Sequence, residues 1–185
     1  MIKEGYKKTE IGVIPLDWEV VELSDILEYE QPTKYLVKTT DYDDKYNIPV
    51  LTAGKTFILG YTNEESGFYN NLPVIIFDDF TTANHYVNFA FKVKSSAMKI
   101  LKVKSDNLNL KFIYEYMQVI NFPIGEHKRY WISEYSNLEI YLPQLLEQIK
   151  IANFLTKIDQ RIEASIKQLE DNKKYKEALL QQMFV

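Results

Sequence analysis

The chain has 185 residues, room for one ordinary domain plus an appendage, and its 46% hydrophobic content is enough for a real core. It has no cysteine, which excludes a disulfide framework and any thiolate metal site. The net charge of −4 on its own weighs weakly against a nucleic-acid binder, because phosphate contacts need cations. The 14 Tyr and 10 Phe point toward strands. No apolar run follows the first lysines, and none approaches the length of a membrane span. A cytoplasmic protein without membrane contact is expected.

In chain order, residues 1–8 are a polar end. Thr9 to Trp18 carries Gly12 and Pro15 among apolar residues, so it packs irregularly, with Trp18 as a core anchor. Val20 and Val21 predict a short strand. Ser24 to Leu27 predicts a short helix capped by Ser24. Glu28 to Tyr46 has no clear period and is expected to be a long loop. Its Lys34, Tyr35 and Lys38 suit a polyanion, or are simply solvated.

Ile48 to Leu51 predicts a strand, followed by Thr52-Ala-Gly-Lys-Thr56. That run contains Gly-Lys-Thr, but a phosphate loop needs a Gly where Val50 stands. The strand-like Phe57 to Leu59 follows instead of a helix, so Lys55 stays a candidate cation on a loop. Pro73 to Phe77 predicts a buried strand ending at Asp78 and Asp79. Adjacent carboxylates suit Mg²⁺ in a nuclease or a turn, and the Glu-x-Lys partner a nuclease wants is absent. Thr82 and Asn84, with Thr81 and His85, either read base edges or make a turn.

Val87 to Lys94 alternates, so Val87, Phe89, Phe91 and Val93 are expected inward and Lys92 and Lys94 outward. Leu101 and Val103 face in, and Lys102 and Lys104 face out. If these runs pair, four lysines share one face, as a phosphate-contacting patch or as solubilising charge. Asp106 or Asn107 can cap a helix through about Val119. His127, Lys128 and Arg129 form a second basic cluster beside aromatic residues. Leu138, Ile140 and Leu142 predict a last strand.

From Gln144 to Val185 nothing breaks a helix, and Pro143 suits its first turn. Leu155, Ile158, Ile162, Ile166 and Leu169 recur at steps of three and four, making one apolar stripe. Such a rod outruns a small head, so its stripe calls for another long helix, the alternative being a surface helix folded back on its own domain. The expected fold class is α+β: a mixed-sheet domain over 1–143, then a long helix over 144–185.

Three segments carry a family resemblance. They are Thr9 to Trp18, Leu142-Pro-Gln-Leu-Leu-Glu-Gln-Ile-Lys-Ile-Ala152, and Phe154 to Ile162 continuing to Leu179 and Phe184. The chain resembles the DNA specificity subunit of type I restriction–modification systems. Ile75 to Thr81 and Lys92 to Met98 also look like that family. Its members hold two target recognition domains and two long helices that pair antiparallel as a spacer. This chain has one of each, so the resemblance implies a half-subunit, whole at both ends, that pairs with a second copy or another half-subunit.

The resemblance further implies a non-catalytic reader of double-stranded DNA, with loops 31–38, 52–57, 81–86 and 125–130 as the reading elements. Methyltransferase subunits would dock on the helices, with a restriction subunit outside them. S-adenosylmethionine, ATP and Mg²⁺ would belong to those partners. A stand-alone Mg²⁺ nuclease at Asp78 and Asp79, and a coiled-coil adaptor without DNA contact, are the rival readings.

Overall fold

The structure is a computed structural model that describes residues 4–52, 56–125 and 128–184. Lys55 and His127 lie outside the described residues. Strands β1 (Tyr6–Thr9) and β2 (Gly12–Pro15) form an N-terminal hairpin. Strand β3 (Glu19–Glu22) leads into the one-turn helix α1 (Leu23–Ile26) and then β4 (Leu27–Glu30). Then come β5 (Ile48–Leu51), β6 (Ile58–Thr62), β7 (Val74–Asp78), β8 (Asn84–Val87), β9 (Lys92–Val93) and β10 (Met98–Val103). Helices α2 (Leu110–Val119) and α3 (Tyr130–Ser133) and strand β11 (Glu139–Leu142) precede the long helix α4 (Leu145–Met183).

The head is layered around an antiparallel sheet in the order β4-β10-β7-β8. Successive strand side chains point to opposite faces. Ile75, Phe77 and Leu101 therefore join one core with Leu110, Ile113, Met117, Trp131 and Tyr135 from the helical side. Val74, Ile76, Met98 and Ile100 join a second core with Leu51, Tyr69, Phe91 and Val93. That second core lies under a small mixed sheet, β6-β5-β9, in which β5 pairs antiparallel with β6 and parallel with β9. The expected α+β class, a mixed-sheet head followed by a long helix, is what the structure has.

Several local expectations fail for physical reasons. The alternating run Val87 to Lys94 is not one strand. β8 ends at Val87 in the central sheet, and β9 begins at Lys92 in the small one. The crossing between sheets leaves Phe89 exposed and turns Lys92 inward, to 0% exposure. Since β9 pairs with β5 while β10 pairs with β4 and β7, the four lysines do not share a face. The 28–46 segment holds a strand, β4, and a 3-10 turn at Pro32–Tyr35. The pairing of β4 with β10 supplies an order that local period does not reveal.

Ser24 lies inside α1, where its hydroxyl donates to Glu22 Oε2 (2.9 Å); Glu22 occupies the cap. Asn109, rather than Asp106 or Asn107, caps α2 by accepting from the Phe112 N–H (2.9 Å). Pro143 precedes the cap residue Gln144 instead of sitting in the first turn of α4. Trp18 is only half-buried, and its Nε1 donates to Glu147 Oε2 (3.1 Å) at the start of α4.

The junction of head and helix rests on buried Gln148. Its Oε1 accepts from the Asn109 N–H (2.8 Å), and its Nε2 donates to the Pro143 carbonyl (2.8 Å). Ala152 is the last fully buried residue of α4. From Lys157 to Phe184 every residue is exposed. Replacing Gln148 with Ala would strand the buried Pro143 carbonyl, at about 1–3 kcal/mol, and leave the part-buried Asn109 N–H without its partner. Urea unfolding of Gln148→Ala is expected to show a midpoint shift of that order with an unchanged slope.

Candidate nucleic-acid interface

Register places the end of β7 and the starts of β8 and β10 at one end of the central sheet, with Met98 opposite Asp78 and Asn84 opposite Phe77. The turn at 78–83, the 94–97 connection and the segment around 128–131 meet there. Asp78 Oδ1 accepts from the N–H groups of Phe80 (2.8 Å) and Thr81 (3.2 Å). Thr82 closes this turn with a φ of 58°, a left-handed conformation that non-glycine residues seldom adopt.

Asp79 is 1% exposed and acts as the hub. Its Oδ1 accepts from the Trp131 N–H (2.9 Å), and its carbonyl accepts from the Tyr130 N–H (2.8 Å). Its N–H donates to Ala97 O (3.2 Å), and its Oδ2 lies 3.1 Å from the fully buried Lys99 ammonium. Lys99 also stands 5.2 Å from the centre of the Tyr29 ring. The two carboxylates thus hold a turn and anchor a neighbouring segment.

The predicted cations are scattered. Lys34 is exposed on the 3-10 turn, and Lys94 is exposed 6.0 Å from the Tyr42 ring centre. Lys102 is 24% exposed and faces Glu28 (3.6 Å) and Glu30 (3.5 Å) across the β10–β4 pair. Lys104 is exposed and donates to Ser24 O. Lys104 and Ile132 line one cleft of about 320 Å³, beside the segment that carries Lys128 and Arg129. Lys128 pairs with Glu134, and Arg129 is exposed at the start of α3.

Asn84 is half-buried and already engaged. Its Oδ1 accepts from Gln118 (2.6 Å), and its Nδ2 donates to Thr82 O (3.3 Å). Lys92, expected outward, donates to Glu64 Oε2 (2.6 Å) and Ser66 O (2.9 Å) in the interior. The structure therefore brings the 78–83 turn and the 128–131 segment together, and takes Lys92 out of any surface patch.

Sequence reading missed Lys111. It pairs with Glu115 (2.6 Å) and Asp159 (3.5 Å) and lies 4.8 Å from the Tyr114 ring centre, joining α2 to α4. Burial alone would lower its pKa, but the Glu115 hydrogen bond and charge, with Asp159, raise it above the ordinary value. The i, i+4 spacing to Glu115 was visible in the sequence, whereas the approach of Asp159 was not.

His85 stacks on Phe57, with centroids 3.9 Å apart, and its burial lowers its pKa below the usual imidazole value. At neutral pH it is therefore uncharged, and its preference for the folded state is lost as pH falls through the lowered value. An NMR titration of His85 is expected to have its midpoint below the unperturbed value of about 6.5.

The buried ion pair gives a second expectation. Lys99→Met leaves a buried carboxylate unpaired and should cost about 3–5 kcal/mol in chemical denaturation, whereas Asp79→Asn with Lys99→Met should recover most of that loss.

Comparison with known proteins adds three findings. The sequence model of the type I restriction modification DNA specificity domain matches residues 15–171. The EcoR124I/EcoR124II type I restriction enzyme specificity subunit of Escherichia coli is 52% identical over 148 residues, covering 77% of this chain and 36% of that protein. Among solved structures, the type I restriction–modification S subunit from M. genitalium has a TM-score of 0.63 at 19% identity, covering 85% of this chain and 43% of that one. The HsdS subunit from Thermoanaerobacter tengcongensis has a TM-score of 0.53 at 16% identity, covering 87% and 42%. The likeness to both structures is one of fold. The chain spans less than half the length of each of these relatives.

Proposed function

The chain belongs to the type I restriction–modification DNA specificity family, and on that premise we propose that it reads one half of a split DNA site and directs methyltransferase and restriction subunits there. In this reading it carries no catalysis of its own. S-adenosylmethionine, ATP and Mg²⁺ act in the partner subunits. Residues 1–143 are the target recognition domain and 144–185 the spacer and pairing helix.

One observation carries the pairing: Ile158, Ile162, Ile166 and Leu169 are exposed along α4 beyond the head. Leu155 stands half-buried at the point where the helix departs. The centre of the Ile158 to Leu169 stripe coincides, within a residue, with the midpoint of α4. Two copies laid antiparallel would match stripe on stripe from Ile158 to Leu169, and an isologous pair presents two heads to a symmetric site. The wild-type chain is expected to sediment as a dimer, and Ile162→Glu with Ile166→Glu as a monomer.

The reading elements are the turn at 78–83 and the basic segment at 128–131, together with the exposed Lys34, Lys94 and Lys104. Thr82 and Asn84 shape the turn, and Lys102, held by two glutamates, contributes less charge. The engagement of Asp78 and Asp79 in turn and anchor contacts favours this reading over a Mg²⁺ nuclease.

The test is the methylation pattern of DNA in cells carrying this chain with its methyltransferase. A symmetric split site is expected; an asymmetric one would point to a different half-subunit as partner, and a pattern independent of the chain would overturn the proposal. In binding assays, alanine at Lys94, Lys104, Lys128 and Arg129 should flatten the salt dependence by about 0.9 in log–log slope for each phosphate no longer neutralised.

A further inference from the structure

Lys92 is the largest departure from the sequence expectation. A lysine with no exposure is costly unless paired and hydrogen-bonded. Its ammonium donates to Glu64 Oε2 and Ser66 O, both in the segment after β6. Gly67 allows that approach: its φ is +68°, and a Cβ there would stand 3.3 Å from Lys92 Nζ and 3.4 Å from Lys34 O.

Glu64 turns the pair into a connector. Its other oxygen, Oε1, accepts from the backbone N–H groups of Lys38 (2.7 Å) and Thr39 (3.3 Å). Burial would raise the Glu64 pKa, but Lys92 and these two N–H groups hold it below the ordinary value. The carboxylate is therefore charged throughout the neutral range.

The segment that follows lies over the small sheet. Val37 N–H donates to Val93 O (2.9 Å), and Asp43 N–H donates to Tyr61 O (3.2 Å). A Cβ on Gly60 would come within 2.9 Å of Tyr42 Cβ, so Tyr42 sits directly on that strand. Between these tethers, Glu64 holds the backbone at 38–39 while the side chains of Lys38, Thr39, Thr40 and Asp41 are exposed. Asn63, Glu65 and Ser66 are exposed beside the other end of the pair. Short polar side chains of this kind can read base edges when their backbone is held in place.

We propose that Lys92 and Glu64 form a buried latch that sets the 38–41 segment against the 63–67 segment, making both part of the sequence-reading surface. Lys92 is on this account a positioning residue that never touches DNA. The inference rests on the DNA-reading function proposed above.

The test uses the full chain, its Glu64→Ala and Lys92→Met variants, and a pool of random-sequence duplexes from which bound DNA is sequenced. The wild type should enrich one motif. Both variants should enrich a degenerate form of it, with enrichment lowered roughly tenfold for each base pair no longer read. Their affinity for the unselected pool and its salt slope should stay at the wild-type value. Glu64→Gln, which keeps an acceptor for the two N–H groups, should restore part of the enrichment. Simple loss of folded protein would lower binding to all sequences alike and leave the motif intact.

An unchanged motif in both variants overturns the latch. So does a salt slope smaller by about 0.9 in Lys92→Met, which would make Lys92 a phosphate contact. Hydrogen exchange supplies a readout independent of DNA. The amides of Lys38 and Thr39 should lose protection in Glu64→Ala, while those within β7 and β10 keep theirs. If the wild type enriches no motif, the DNA-reading proposal fails; retained protection at Lys38 and Thr39 in Glu64→Ala instead overturns the latch itself.

Discussion

A continuous helix of 39 residues can bury only its first turns against a head of this size. Gln148 and Ala152 are buried at its base, and Ile151 packs on the helical-side core. Beyond Lys157 every described residue of the helix is exposed, although Asp159 still reaches Lys111 of α2. Helices of this kind draw their stability from tertiary packing rather than from propensity. The stripe is thus the feature that the head leaves unsatisfied, and it gives the proposed pairing its physical basis.

The head meets the opposite problem, because its strands are short and its connections long. Two buried lysines hold those connections. Lys99 pairs with Asp79, which fastens Tyr130 and Trp131 to the end of β7. Lys92 pairs with Glu64, which fastens the chain at Lys38 and Thr39 beside β9. Replacing such pairs with apolar residues is often neutral or favourable for stability, so their presence is weak evidence for a purely stabilising role. What both do here is give exposed polar segments a defined place on the sheet. The two cations seat loops and leave surface charge to other lysines.

Much of the architecture was legible in residue order. The long helix, its stripe, the buried strand at Val74–Asp78 and the final strand at Glu139–Leu142 all follow from period and from the placement of Pro and Gly. These are local properties, since a 3.6-residue or two-residue repeat is written in neighbouring side chains. The family was legible as well, through the segments at 9–18 and 142–152. The loops 81–86 and 125–130 were singled out, and Asp79 joins the turn beside the first to the end of the second.

The lysines were legible only as charges. Lys92 lies in a run whose alternation predicts an outward side chain, yet the chain changes sheets between Val87 and Lys92 and the alternation loses its meaning. Glu64, its partner, is 28 residues away, and Asp79 reaches Trp131 across 52. No local pattern encodes such pairings, because burial depends on which strands become neighbours. Periodicity along the chain thus suffices for the helix and its unsatisfied stripe. Which cations face solvent and which hold loops from within follows from long-range strand pairing, because the ammonium groups of Lys92 and Lys99 enter the interior where a carboxylate distant in sequence meets each of them.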